Sequence, residues 1–120
     1  MSFEDILKLD GDAFFDWVMA HFQMEPVKPI ETEDDMKQAS KLISIAIGNY
    51  SYLAALLGYL KIKVRQEKRN KNKVLYEDLI DKREIVQEIV DATKLQYNAI
   101  SRMVTIKIES DKELHMNDIR

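Results

Sequence analysis

Residues 36–64, MKQASKLISIAIGNYSYLAALLGYLKIKV, decide the fold of this 120-residue chain. Apolar side chains recur at intervals of seven residues from Met36, and a second set follows three residues after each of the first four. The two sets are Met36, Ile43, Tyr50, Leu57 and Val64, and Ala39, Ala46, Leu53 and Leu60. A heptad pattern sustained in this way is typical of a coiled-coil-like helix. We therefore predict one long helix from about Glu33 to about Arg69.

A second long helix is predicted beyond this one, because apolar residues continue at helical spacing from Leu75 to Ile108. The turn between the two helices is weakly marked. Asn70 and Asn72 tolerate the left-handed conformation and can cap helices, which favours a turn at residues 70–73. Asp81 with Glu84 has the spacing of a helix cap and leaves a later turn open as an alternative.

The sequence pattern of residues 1–24 predicts a short helical segment at the N-terminus. Ser2 and Asp5 have capping-box spacing, and aromatic residues then recur at helical intervals after a break at Asp10-Gly11-Asp12. Two prolines make residues 25–31 an extended linker, since proline disfavours helix at the residue before it. Thr32 begins the main body with a second capping-box spacing.

The resulting fold class is all-α: a long antiparallel, coiled-coil-like helical hairpin over residues 32–110, preceded by the short helical segment. Residues 111–120 form a polar tail that we expect to fray. Few glycines and prolines, three and two respectively, suit long helices and argue against sandwiches and barrels.

The first long helix is apolar on more than one face, which predicts further packing. A two-helix hairpin cannot cover both faces, so we expect the N-terminal segment, another subunit, or both to pack there. The expected oligomer or partner interface combines a second row on this helix with aromatic residues of the N-terminal segment: Ile45, Tyr52, Tyr59 and Ile62, with Phe14, Trp17 and Phe22.

The composition excludes several classes of function. The chain has no cysteine, which rules out disulfides and zinc–thiolate sites. His21 and His115 are far apart, and no phosphate loop or hydrolase motif occurs. We therefore predict no catalytic site, no metal site and no cofactor. Polar residues such as Asn49 interrupt the longest apolar stretch, so we expect a cytoplasmic protein without a membrane span.

Charge is distributed unevenly along the chain. Residues 1–35 carry ten acidic and two basic side chains, whereas residues 36–73 carry nine basic and one acidic. The basic side chains are concentrated between Lys61 and Lys73, where the candidate nucleic-acid-binding residues are Lys61, Lys63, Arg65, Lys68, Arg69, Lys71 and Lys73. Such a run attracts a phosphate backbone. Tyr59 and Tyr76 flank it and can stack on unpaired bases.

An intramolecular alternative for the basic run stays open. Cations are favoured at a helix C-terminus, and the second long helix opens with acidic residues that begin at Glu77 and Asp78. In an antiparallel hairpin the two stretches face each other. The basic charge is then available either to nucleic acid or to cross-helix ion pairs.

The chain resembles the UvsY-type recombination mediators of phage. The likeness lies in an EDIL lead-in (residues 4–7), the arm NYSYLAALLGYLKIK (residues 49–63), the basic run, and KLQY (residues 94–97) in the second arm. The resemblance implies a non-enzymatic oligomer that binds single-stranded DNA and assists a recombinase. It also implies that the basic run contacts the DNA.

Two other functions remain as alternatives. The acidic, aromatic N-terminal segment departs from what the resemblance leads us to expect, and predicts instead an inhibitor or adaptor that docks on a protein partner. A structural assembly protein is the second alternative. The expected partners are therefore single-stranded nucleic acid, further copies of the chain, and a protein bound by the N-terminal segment.

Overall fold

The computed structural model describes residues 1–22 and 26–119. Four helices follow in order: α1 (Phe3–Leu7), α2 (Gly11–Phe22), α3 (Glu33–Asn70) and α4 (Lys73–Ile119). The long helices α3 and α4 pack against each other, which confirms the all-α helical hairpin. Residues 23–25, where the predicted N-terminal segment ends and the linker begins, lie outside the described residues.

α3 begins where its capping residues predict. The Thr32 side chain accepts a hydrogen bond from the Asp35 amide at 3.1 Å, and the Asp35 carboxylate accepts one from the Thr32 amide at 3.0 Å. This reciprocal pair satisfies two amides that the first helical turn leaves without partners. Ser2 and Asp5 form the same capping box at α1.

The turn lies at residues 70–73, as predicted. Lys71 adopts the left-handed conformation with φ 58°, and the amide of Asn72 donates to the Glu67 carbonyl at 3.3 Å. The Asn72 side chain accepts from the Leu75 amide and so caps α4. The left-handed residue is therefore a lysine between the two predicted asparagines. The later turn at Asp81 is excluded, since α4 runs through it.

The predicted heptad seam forms most of the interface between α3 and α4. Its buried members on α3 are Ala39, Ala46, Leu53, Leu57, Leu60 and Val64, and they face Leu79, Val86, Val90 and Ile100 of α4. Met36 and Ile43 of the seam are half-buried, and Tyr50 stays 42% exposed. Tyr50 lines an open groove between α3 and α4, which accounts for its exposure.

α4 continues through residues 111–119, where we expected a frayed tail. No proline or glycine follows Gly58 in the sequence, so nothing in the backbone chemistry ends this helix earlier. α4 has 47 residues against 38 in α3 and extends beyond it. The molecule is consequently a rod of 73 × 23 × 18 Å.

The N-terminal segment packs in cis on one side of the hairpin. Ile6 of α1 and Phe14 and Val18 of α2 are fully buried, and they share one apolar core with Leu53 and Leu56 of α3. The segment lies across both long helices, since α2 packs on α4 while Phe3, Trp17 and Phe22 contact Tyr52 on a second face of α3.

Lys82 of α4 fixes this segment to the hairpin. Its ammonium donates to the carbonyls of Leu7 at 2.8 Å and Leu9 at 2.6 Å, and to the Asp78 carboxylate at 2.7 Å. The residue is 2% exposed, and its ammonium lies 5.6 Å from the centre of the Phe14 ring. The bond to Leu7 satisfies a carbonyl at the end of α1 that the short helix cannot satisfy itself, and the bond to Leu9 holds the connection between α1 and α2.

We predict that Lys82→Ala lowers the free energy of unfolding by about 1–3 kcal/mol, because it leaves carbonyl oxygens without a donor in a buried site. Urea titration followed by Trp17 fluorescence and by circular dichroism measures this change. The control is Lys112→Ala, an exposed lysine of the same helix, for which we expect a change within about 0.5 kcal/mol. Equal stabilities of the two variants would contradict the role of Lys82.

Candidate nucleic-acid interface

The hairpin turn gathers basic side chains at one end of the rod. The last turns of α3, the turn itself and the first residue of α4 contribute six exposed cations: Lys61, Arg65, Lys68, Arg69, Lys71 and Lys73. Lys68 and Arg69 lie in the last turn of α3, where the helix dipole favours positive charge. We call these six residues the basic tip.

The basic tip is not neutralised by α4. Among the described residues the ion pairs are Lys63–Glu4, Lys82–Asp78 and Lys107–Asp111, and none contains a residue of the basic tip. Glu77, Asp81 and Glu84 near the start of α4 are exposed to solvent. The cross-helix pairs of the intramolecular alternative are therefore absent from the described part of the chain.

An open pocket of about 190 Å³ lies at the turn. We call it the tip pocket; its lining consists of Glu67, Lys68, Lys71, Asn72, Lys73 and Tyr76. Tyr76 is half-buried, because it packs on the hydrophobic core while part of its side chain lines the pocket. Three ammonium groups beside an aromatic ring offer phosphate contacts and a stacking surface in one place. One carboxylate, that of Glu67, partly offsets their charge.

Lys63 and Tyr59 are engaged by α1. The Tyr59 hydroxyl donates a hydrogen bond to the Glu4 carboxylate, and the Lys63 ammonium lies 3.0 Å from the same carboxylate. Lys63 is also 5.4 Å from the centre of the Tyr59 ring. Of the predicted basic run, Lys63 is thus the member that already has an acidic partner, and Tyr59 is not free to stack on a base.

The contact shifts the ionisation of all three groups. The hydrogen bond from Tyr59, and then the ammonium of Lys63, hold the pKa of Glu4 below its ordinary value. The hydrogen bond to Glu4 raises the pKa of Tyr59 and of Lys63 above their ordinary values. The contact is therefore favoured when Glu4 is charged and Tyr59 and Lys63 are both protonated.

The predicted oligomer or partner residues of the N-terminal segment are used within the chain. Phe14 is fully buried in the core, so it offers no surface to a partner, contrary to our prediction for this residue. Trp17 and Phe22 are half-buried. The Phe22 ring lies 5.5 Å from that of Tyr52 and 5.7 Å from that of Trp17, so these aromatic groups cover one another.

The remaining members of the predicted interface row lie apart. Ile45 and Ile62 are exposed, at 44% and 52%, whereas Tyr52 and Tyr59 of the same row are half-buried beneath the N-terminal segment. The Phe3 ring lies 5.5 Å from each of these two tyrosine rings. The row is therefore divided between a face covered in cis and two solvent-exposed isoleucines.

Sequence reasoning missed Lys82 and Glu4. Asp78 and Lys82 have the spacing of an ordinary ion pair on a helix surface, so no local signal distinguishes a buried lysine here. Glu4 belongs to an acidic first turn, which the helix dipole alone explains. Both roles depend on how α1 lies against the hairpin, and the sequence pattern does not give that placement.

Known proteins and common metal chemistry add no further assignment. A scan against protein-family models and searches of curated proteins and of solved structures found no match to this chain. Among the residues that the structure describes, no group of three or more histidine, aspartate or glutamate side chains is placed to hold a metal ion.

We predict that the Glu4 contact weakens in acid. Because the pKa of Glu4 is lowered from 4.5, its contribution is present above about pH 4.5 and is lost as the pH falls through the lowered value. An acid titration of Trp17 fluorescence reports the packing of the N-terminal segment. Glu4→Gln should lack the part of the acid response that this contact causes. Superimposable titrations of the two proteins would contradict the prediction.

Proposed function

We propose that this protein binds single-stranded nucleic acid through the basic tip and acts without catalysing a reaction. The observation that carries the proposal is the set of six exposed cations that have no ion-pair partner among the described residues, beside a pocket lined by Tyr76. Contacts to phosphates provide affinity that depends little on sequence.

The arrangement of the cations favours a flexible strand. Lys61, Arg65 and Lys68 follow one side of α3 at intervals of four and three residues, whereas Lys71 and Lys73 lie at the turn. The basic tip thus curves around the end of the rod. A single strand can follow such a curve and place a base against Tyr76, since unpaired bases stack on aromatic side chains.

The biological role we propose is that of a recombination mediator or accessory factor, as the resemblance to UvsY-type proteins implies. Such a factor needs a nucleic-acid surface and further contacts with itself or with a recombinase. The basic tip supplies the nucleic-acid surface at one end of the rod. Most of the length of α3 and α4 stays available for contacts with another copy or with a recombinase.

Docking of a protein partner by the N-terminal segment is a second candidate. Phe15 is 47% exposed on α2, between the exposed acidic residues Asp12 and Asp16. This surface is small, because the other aromatic residues of the segment pack within the chain. An adaptor function therefore depends on Phe15 and the acidic side chains around it.

The first test is the salt dependence of binding to a labelled single-stranded oligonucleotide. Each phosphate contact contributes about −0.7 to the slope of log K against log salt on a single strand, so six contacts predict a slope of about −4. Fluorescence anisotropy between about 50 and 200 mM salt measures this slope. A duplex of the same sequence should bind more weakly, because its bases are not free to stack on Tyr76.

The variant Lys71→Glu with Lys73→Glu removes two cations from the tip pocket. We expect affinity to fall about tenfold or more, because two phosphate contacts are lost. The slope of log K against log salt should become less steep, at about −3. The matched control is Lys37→Glu with Lys41→Glu, which makes the same charge change on exposed residues near the opposite end of α3. Wild-type protein that does not bind at low salt, or equal losses in both variants, would contradict the proposal.

A further inference from the structure

The most apolar segment of the chain is largely uncovered. Residues 42–60 of α3 contain no charged side chain. By length and composition α3 can cross a membrane, a property shared by core helices of soluble proteins; yet only 28% of its most apolar 18-residue window is buried. α4 covers one side of this window, and α1 and α2 cover a second. A third side remains exposed.

This third side is the open face of α3, which we define by Ile47, Tyr50, Ser51, Ala54, Ala55 and Gly58. All six residues are exposed, and most are small. A methyl group added to Gly58 would meet no atom within 4 Å in the described structure, so no close packing within the chain explains glycine here. Glycine in mid-helix is unfavourable relative to alanine, and close approach of another helix is the usual compensation.

The geometry of the hairpin argues against lipid as the occupant of this face. Between the turn and Ile100, the part of α4 that lies beside the apolar window carries several charged side chains, all of them exposed or half-buried: Arg83, Glu84, Glu88, Asp91 and Lys94. Insertion of the window into a bilayer would bring this stretch of α4 with it. Charged residues at that depth are strongly unfavourable.

We propose that the open face binds the open face of a second copy of this chain, with the two α3 helices antiparallel. A two-fold axis then crosses α3 near its midpoint. Since α3 extends from Glu33 to Asn70, that midpoint lies between Ser51 and Tyr52, within the open face. The two α3 helices overlap along their whole length, and the interface is self-complementary.

Charge along α3 selects the antiparallel orientation. Its first turn carries Glu33, Asp34 and Asp35, and its last turn carries Lys68 and Arg69. An antiparallel pair places the acidic end of each copy beside the basic end of the other, and their helix dipoles oppose. A parallel pair would bring like charges together at both ends.

A groove beside the open face provides a receiving surface. It has a volume of about 290 Å³ and lies between the two long helices, with Ile47 and Tyr50 on one wall and Tyr97 on the other. Its exposed surface is mostly apolar. α3 has 38 residues and is about 57 Å long at 1.5 Å rise per residue, and the open face with the groove beside it lies at its middle.

In this dimer Lys61, Arg65, Lys68 and Arg69 lie within the overlap, near the acidic first turn of the other copy. Lys71, Lys73 and Tyr76 follow the end of α3, so each tip pocket stays outside the overlap, and the dimer makes fewer phosphate contacts than the six that a single chain offers.

Analytical ultracentrifugation tests the dimer with two matched variants. Wild-type protein should have twice the 14.1 kDa chain mass. Ala54→Glu with Gly58→Glu places charge and bulk on the open face at positions exposed in a single chain, and should give a monomer with unchanged helicity. Ala92→Glu with Ala99→Glu makes the same charge change at exposed positions of α4 and should remain dimeric.

Cysteine substitution tests the orientation, since the chain contains no cysteine of its own. Ser51→Cys should form a disulfide-linked dimer on mild oxidation, because it lies beside the axis. Asn72→Cys should not, because the two copies of residue 72 are about 60 Å apart at 1.5 Å rise per residue. A disulfide-linked dimer of Asn72→Cys would overturn the antiparallel arrangement, because a parallel pair brings the two copies of residue 72 together.

Other results would overturn the dimer itself. These are a monomeric wild type, a dimer that persists in Ala54→Glu with Gly58→Glu, or a monomer that floats with phosphatidylcholine vesicles, which would assign the face to lipid. The two proposals are separable, because Lys71→Glu with Lys73→Glu should remain dimeric whether or not the wild type binds DNA.

Discussion

The buried ammonium of Lys82 is the contact on which the arrangement of the N-terminal segment depends. α1 has only five residues, too few to be stable alone, and its last carbonyls need donors from outside the helix. Lys82 supplies hydrogen bonds to Leu7 and Leu9 while its charge is balanced by Asp78. The burial of Ile6, Phe14 and Val18 then stabilises the segment in the position that the Lys82 hydrogen bonds define.

This contact makes the two sides of the hairpin different. On one side, α1 and α2 cover the apolar row around Tyr52 and Tyr59, and Glu4 engages Lys63. On the other side α3 has no cover within the described chain. The functional surfaces we propose follow from this asymmetry: a basic tip beyond the reach of α1, and an open face that is left to another copy.

The hairpin itself was predictable from the sequence because its signals are local. The heptad seam, the capping boxes at Ser2 and Thr32, and the turn at residues 70–73 each depend on neighbouring residues, and the structure confirms them. The exposure of Tyr50 was not predictable from a seven-residue pattern, because it depends on a groove that α3 and α4 leave open between them.

The candidate site was predictable as a set of charges but not as a set of contacts. The sequence indicated the basic run, and the structure separates Lys63, which Glu4 engages, from cations that have no acidic partner among the described residues. The burial of Lys82 and Phe14 could not be read from the pattern, because each depends on the docking of a segment that lies far away along the chain.

Hydrogen exchange of the native protein tests the central claim, docking of the N-terminal segment on the hairpin, most directly. The account predicts that amides of α2 are protected to a similar degree as those in the middle of α4, because both open only when the shared core opens. The amide of Lys73, at the first position of α4, should exchange rapidly. Rapid exchange throughout α1 and α2, with α3 and α4 still protected, would contradict it.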